Sequence, residues 1–516
     1  MQIRLRKTSE VEAYKEFVRR GNLEIVRRAI ETVRVLVARE LSQNNSGAEK
    51  AYLETYVNQI KFDTFIDSTL VFQWMKSESS DKNILKLPLP QKWITGIHED
   101  IALGKLILRQ GKRRYYKKLL ELQLRGVVRT IRLLFTYISI NPGLEIAGEN
   151  NVVVIGHTDH IIWSDSCTEG RWTYEAWSNK NKLDKRAISF LPELEFMQVL
   201  LVNQFYGGRI QRIKDRVLLF ARSMRRFINC KIKFFDRFIV LDQIFFSELI
   251  QVANQAKIPK QIQFTESMGC RRPYWTYEAE TRGVDIALRF FTNYATLSTK
   301  SRTEIPPQFS LYTWRKIFAV SDWQANSLPR FNALGVNVDI ERGDIPWFLD
   351  DEEFKIPDAT RFIVVFDHEP KNGHFGFSSI NDLGLSNPEC NLEFLETILE
   401  VCSSAKIDCF HKRKRALSRN VQLVDYSQIL AKPRNRDFYK LVPENTSAHR
   451  IVSRALGVIS LPPTSTGLIG RQMGVPSIYF DPTGNVLADD PALDSVPLIN
   501  SKEGLSAWIR SLESTS

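Results

Sequence analysis

The 516-residue chain has no CxxC pair, no zinc-ligand spacing and no uninterrupted apolar run long enough to cross a bilayer. Each absence removes a class. Its six cysteines, at 167, 230, 270, 390, 402 and 409, are scattered along the chain, as free thiols are in a reducing compartment. The richest apolar stretch, 127–140, is shorter than the roughly 18–20 residues of a membrane span and carries Arg129 and Arg132. The opening MQIRLRKTSEVEAYKEF lacks the apolar core of a secretory signal, so the expectation is a cytoplasmic chain. No G-x-S-x-G elbow, Walker A loop or G-x-G-x-x-G fingerprint is present, which argues against hydrolase, NTPase and dehydrogenase chemistry. There is no internal repeat and no low-complexity tract.

What is present fits packed domains: 43% hydrophobic and 25% charged residues, in a length suited to two to four of them. Residues 1–145 read mainly as helices, with helical apolar spacing over Val11–Leu41 and Gly104–Ile138. From there short apolar runs alternate with helical segments. They are VVVIG (152–156), FIVLD (238–242), IQF (262–264), VDIALRFF (284–291), IFAVS (317–321) and VNVDI (336–340). A second series follows the acidic, proline-bearing stretch 344–360, which reads as a linker. It comprises RFIVVFD (361–367), KIDCF (406–410), YKLV (439–442), GVISL (457–461), PSIYF (476–480) and VPLI (496–499). Strands alternating with helices predict α/β units on parallel sheets. The expected layout is a helical N-terminal region (1–145) and two Rossmann-like domains (146–345 and 346–516) facing a cleft.

Lys and Arg outnumber Asp and Glu, 71 to 59, for a net charge of +12. The excess is local. Residues 105–132 hold ten basic residues against Glu121, and 209–237 hold ten against Asp215 and Asp236. Basic amphipathic helices of this kind suit an anionic membrane surface, or simply a core-packing helix with a solvated cationic face. No nucleic-acid-binding module accompanies the charge.

The most informative segment is GVISLPPTSTGLIGRQMGVPSIYFDPTG (457–484). A buried strand stops at Pro462 and Pro463, and Thr464, Ser465, Thr466 and Gly467 open a helix. Hydroxyls and free N–H groups at a helix N-terminus make an anion site, and a glycine there lets a ligand approach the backbone. The plainer alternative is an N-cap role for Thr464 or Ser465.

This segment resembles the donor-site βαβ of GT-B glycosyltransferases: strand, S/T-S/T-x-G/A-L, helix, G-x-P, strand. Within that fold it is similar to bacterial surface-polysaccharide biosynthesis proteins, whose C-terminal block pairs such a loop with PSIYYDPTG, an acidic pair and a final helix. Here those features are PSIYFDPTG, Asp489–Asp490 and the terminal helix, and the likeness is specific over 405–514. These proteins are related in architecture to sialyl and Kdo transferases. The resemblance implies a nucleotide-sugar donor, with Thr464, Ser465, Thr466 and Gly467 at its phosphate. The basic run after KIDCF, with His411, Lys412 and Lys414, is the expected source of cations, which can neutralise departing phosphate charge. Arg413 stands where the family has a proline, which leaves open which of the three acts and whether activity is kept. Asp481 could meet a sugar or nucleotide hydroxyl or close its own Asp-Pro-x-Gly turn. Glu444 could meet the ribose or serve as a helix N-terminal charge.

Glycosyl transfer needs a base for the acceptor hydroxyl, normally from the N-terminal half. Glu266 in QFTESMG is the first candidate, followed by Asp242 and Asp159, each at an expected strand end. The H-x-x-H of GHTDH lacks a third ligand, and no D-x-D motif has a glycosyltransferase-like flank, so neither a metal nor a resident cofactor is expected. The expectation is a metal-independent glycosyltransferase acting on a glycan or lipid-linked acceptor. It would lie at the inner face of the cytoplasmic membrane, with a CMP-linked ulosonic acid as donor by analogy with the sialyl and Kdo enzymes. The rivals are a UDP-sugar 2-epimerase-like enzyme and a non-catalytic assembly protein of the same fold.

Overall fold

Most of the short apolar runs become parallel strands. The computed structural model describes residues 48–65, 84–87, 107–110, 112–139, 152–155, 161–162, 171–172, 213–252, 260–265, 272–293, 313–331, 337–348, 354–356, 361–368, 388–413, 438–443 and 445–515, with single positions 32, 36, 95 and 385. In the N-terminal region, β1 (Ile84–Leu87) and β2 (Ile107–Gln110) pair in parallel where helix was expected. Among the described residues, the helices of that region given a range are α1 (Ala48–Phe65) and α2 (Lys112–Ser139). The stretch Val11–Leu41 lies outside the described residues apart from Thr32 and Leu36.

The first large sheet contains β3 (Val152–Ile155), β5 (Arg171–Trp172), β6 (Gln261–Thr265), β7 (Asp285–Arg289), β8 (Lys316–Ala319) and β9 (Asp339–Arg342), in the order β5-β3-β6-β7-β8-β9. The expected linker is not plain coil: β10 (Trp347–Phe348) pairs antiparallel with β4 (Ile161–Ile162). The second sheet holds β11 (Phe362–Phe366), β12 (Asp408–Lys412), β13 (Tyr439–Val442), β14 (Gly457–Ser460), β15 (Ser477–Phe480) and β16 (Leu498–Ile499). Its order is β13-β12-β11-β14-β15-β16, the Rossmann order, and every pairing is parallel. Every residue of β11 is buried, as a central parallel strand covered on both faces must be.

Between and around the sheets run α3 (Ile213–Asn229), α4 (Phe234–Arg237), α5 (Leu241–Val252), α6 (Trp275–Thr281), α7 (Asp322–Ser327), α8 (Pro388–Ala405), α9 (Ala448–Val452), α10 (Ser465–Gln472) and α11 (Lys502–Thr515). FIVLD is a correction to the expected strands. Phe238–Val240 form a 3-10 turn, and Leu241 and Asp242 begin α5. Residues 241–250 are all buried, so α5 is apolar enough to be enclosed by α2, α3 and α6. A short apolar run alone does not distinguish a buried strand from the start of such a helix. Gly126 of α2 leaves no room for a Cβ against the Phe238 carbonyl, which lets the two backbones touch.

One apolar core runs from the first sheet into the second. Polar contacts fasten the two together. Asp494 Oδ1 accepts from the N–H groups of Asp322 (2.9 Å) and Trp323 (3.4 Å), capping α7 from the opposite sheet alongside Ser321, the helix's own N-cap. Gln472 Oε1 accepts from the Ile345 N–H at 3.1 Å.

Candidate functional site

In an open parallel sheet, ligands bind beyond the carboxyl ends of the strands where the order reverses. In the second sheet the chain runs outward from β11 through β12 to β13, then returns to lay β14 on the other side of β11. The switch point therefore lies between the ends of β11 and β14, where Asp367 and the 461–466 loop emerge.

The loop is built from a cis Pro462–Pro463 peptide and a chain of hydroxyls. Thr466 Oγ1 lies 2.9 Å from Ser460 Oγ and 3.0 Å from Thr464 Oγ1. Thr464 occupies the N-cap position of α10 in extended backbone (φ −89°, ψ 148°), yet its side chain makes no cap hydrogen bond. The plain N-cap reading of Thr464 thus fails: its hydroxyl faces Thr466. The Ser465 hydroxyl accepts the Asn293 N–H, from the segment after β7, at 2.8 Å. No side chain among the described residues accepts from the first-turn N–H groups of Ser465, Thr466 and Gly467. The result is a hydroxyl-lined helix N-terminus with donors to spare, an arrangement that suits an anion.

Gly467 has a different reason from the expected one. A Cβ there would come within 2.7 Å of the Tyr479 ring, so the glycine lets α10 lie against β15. The fully buried Tyr479 donates its hydroxyl to the Thr464 carbonyl at 2.7 Å and fixes the loop from below. Burial pushes that phenol up, which keeps it a donor.

His411 also departs from expectation. The strand continues through Lys412, so His411 is not in a basic turn but fully buried within β12. Its Nε2 lies 3.1 Å from Asp367 Oδ2 and its Nδ1 lies 2.7 Å from the Tyr439 hydroxyl. With Nε2–H donated to Asp367 Oδ2, Nδ1 can accept from the Tyr439 hydroxyl. Burial first, then the neighbouring Cys409 and Asp367, pushes the Tyr439 phenol up, so it donates. His411 acts as a strut across β11, β12 and β13. His411→Ala should lower stability by about 2–3 kcal/mol, measured by urea unfolding, before it alters any ligand affinity. Lys412, 8% exposed, is the last residue of β12, in register with Phe366 and Val442 at the carboxyl edge.

Asp481 takes the turn reading. Its Oδ1 accepts from the N–H (2.9 Å) and hydroxyl (2.6 Å) of Thr483, and its Oδ2 from the Val486 N–H (2.9 Å). It is fully buried and presents no surface to a ligand. Asp490, of the acidic pair, likewise caps a 3-10 turn. Asp242 is 4% exposed inside the helical layer rather than at a strand end, and burial pushes its carboxyl up against the pull of Arg129. That placement removes it as a strand-end base. Glu266, Asp159, Lys414 and Glu444 lie outside the described residues.

One family model covers residues 224–509, more than half of the chain: that of the polysaccharide biosynthesis PFTS motif proteins. The chain belongs to this family. No curated protein sequence matches this PFTS motif protein. Similar solved structures include the UDP-GlcNAc 2-epimerase of Methanocaldococcus jannaschii in complex with UDP-GlcNAc and UDP (12% identity, 52% of this chain and 74% of that chain, TM-score 0.30). They also include the pneumococcal O-GlcNAc transferase in complex with UDP and GlcNAc (14%, 53% and 54%, 0.32) and a glycosyltransferase from Rickettsia africae (13%, 54% and 72%, 0.32).

Two buried polar residues of the PFTS motif protein carry no motif in the sequence. Asn293 is 4% exposed, and neither polar atom of its side chain has a hydrogen-bond partner among the described residues, although its backbone holds Ser465. A buried amide left open beside the hydroxyl loop is poised for a ligand. Thr446 Oγ1, in the segment after β13, is likewise buried and open. Neither residue belongs to a motif, and only the fold brings Asn293 to the loop and Thr446 to the carboxyl edge of the same sheet.

His449 of α9 is 2% exposed and its Nε2 lies 3.2 Å from the Ile345 carbonyl, tying the second sheet to the segment that enters β10. Burial pushes its pKa down to about 4. The folded value lies below the unfolded one, near 6.5, so this contribution is complete above pH ~6.5 and is lost as pH falls towards about 4. The loss should be on the order of 3 kcal/mol. Urea unfolding of the wild type and His449→Asn across that window should show the pH slopes differing by that amount.

Proposed function

We propose that this PFTS motif protein is a glycosyltransferase of surface-polysaccharide assembly, in the capsule or lipopolysaccharide class, whose donor phosphate rests on the 460–467 loop. The observation that carries the reading is the hydroxyl-lined, uncapped N-terminus of α10 at the switch point of a Rossmann-ordered sheet. Residues 346–516 serve the donor and 146–345 the acceptor. In the reaction an acceptor hydroxyl oxygen bonds to the anomeric carbon, and the bond from that carbon to the phosphate oxygen breaks. The hydroxyl proton passes to a base, and the nucleotide leaves with the added negative charge. The loop N–H groups and Thr466 stabilise that charge as it forms, and the cations we assign to it are Lys412, at the carboxyl end of β12, and Lys414, two residues on in sequence. Two base candidates follow the strands at the first sheet's own switch point: Glu266 comes directly after β6 and Asp159 four residues after β3.

The donor we assign is a CMP-linked ulosonic acid, supported by the sequence resemblance over 405–514. The basic stretches 105–132 and 209–237 support a peripheral position at the inner face of the cytoplasmic membrane, where a lipid-linked acceptor would be met. No metal takes part in this reading, so transfer should continue in chelator. The test is incubation of the full chain with CMP-ulosonic acid and UDP-sugar donors, with and without glycan acceptor. Acceptor-dependent release of CMP supports the proposal. Conversion of a UDP-sugar to its 2-epimer would replace it with the epimerase reading, and no turnover with any donor would leave the assembly-protein reading.

A further inference from the structure

The turn after α3 and the start of α4 bring together cations and apolar side chains: Lys231, Ile232 and Lys233 in the turn, then Phe234 and Phe235 in the helix. Phe234 and Phe235 are 55% and 64% exposed, and Ile228 near the end of α3 is 65% exposed. Clustered large apolar groups on a surface mark an interaction site. Their exposure is built into the fold. The Arg237 guanidinium donates to the carbonyls of Phe227, Ile228 and Ile232, closing the C-terminus of α3, and lies over the Phe234 ring at 5.8 Å. Phe227 and Phe238 meet edge-on at 4.9 Å beneath it. Gln123 of α2 donates to the Phe235 carbonyl at 3.2 Å, so the turn is joined to a helix that carries exposed Leu120 and Leu124.

Beside the turn is a cavity of about 620 Å³, lined by five cations (Lys50, Arg222, Arg225, Arg226 and Lys231) and two carboxylates (Glu49 and Glu248). Both carboxylates are held by Arg226, at 2.9 and 3.2 Å. Arg222 and Arg225 have no hydrogen bond or ion pair among the described residues, and both are exposed. The cavity thus keeps a cationic excess next to an apolar rim. That combination fits an amphiphile with an anionic head: the cations meet phosphate while the phenylalanines enter the acyl boundary.

We propose that this face docks on an anionic bilayer, with Phe234, Phe235 and Ile228 inserted and the cavity at Arg222, Arg225 and Lys231 taking a lipid phosphate headgroup. The inference rests on the membrane-peripheral reading above and adds which residues enter the lipid and where a headgroup sits. The test is flotation of the full chain with vesicles of phosphatidylcholine alone or with roughly 30% phosphatidylglycerol. The wild type should float with the anionic vesicles and be released by salt. Phe234→Ser with Phe235→Ser should lower partitioning about tenfold or more, and Arg222→Glu with Arg225→Glu should abolish the preference for anionic lipid. Wild-type salt sensitivity gives a readout that no variant's folding can confound. Flotation that neither pair of substitutions changes would overturn the inference and leave a purely electrostatic membrane reading. No flotation at all would overturn both. Saturable binding of inorganic phosphate without vesicle binding would also overturn the inference, as a site for free anions.

Discussion

Thr466→Val should lower the affinity of the protein for its nucleotide about tenfold to a hundredfold while leaving the fold intact. Thr466 Oγ1 sits between Ser460 Oγ and Thr464 Oγ1 and on the first turn of α10, so it orders both neighbours at the helix N-terminus. A hydrogen bond to a charged group contributes about 1.5–3 kcal/mol, which sets that range. Valine keeps the shape, and position 466 is only half-buried, so stability should fall by no more than about 1 kcal/mol. Titration calorimetry with the nucleotide, paired with urea unfolding, separates the two effects. A variant that loses stability and affinity together would show the hydroxyl chain to be scaffolding.

Gly467→Ala should be the more damaging change. The new methyl would lie 2.7–3.0 Å from Cε1, Cζ and the hydroxyl oxygen of Tyr479, which is fully buried and has that hydroxyl on the Thr464 carbonyl. A rigid ring in a packed core cannot retreat as a flexible chain end can. Either α10 lifts from β15 or the tyrosine hydrogen bond breaks, at a cost of about 1–3 kcal/mol from overpacking. Because that bond holds the loop backbone, nucleotide binding should also weaken. Tyr479→Phe is the control. It removes the bond without the clash, leaves a buried carbonyl open, and should cost about 1–2 kcal/mol.

These two residues show how far the sequence could be read. Pro462 and Pro463 end a strand, hydroxyls follow and a helix begins, so the loop was legible from local chemistry alone. The reason for Gly467 was not, because its partner Tyr479 is twelve residues away on the neighbouring strand and only the sheet brings them together. Asp481 had two readings with the same sequence pattern, and the structure spends its oxygens on Thr483 and Val486. His411 looked like part of a basic run because strand ends are not marked in the sequence, and one more turn of the pleat buries it against Asp367 and Tyr439. Asp242 followed an apolar run that fits a strand or a core helix equally, and burial from all sides made it a helix. Asn293 carried no signal at all, since its place opposite Ser465 depends on how one sheet meets the other.

The central claim is that an anionic nucleotide binds the second sheet at the 460–467 loop. Titration calorimetry of the full chain with CMP and UDP, repeated with Thr466→Val, tests it most directly. The account predicts one CMP per chain, with affinity cut at least about tenfold in the variant. Binding of neither nucleotide, or binding that Thr466→Val leaves unchanged, would contradict it.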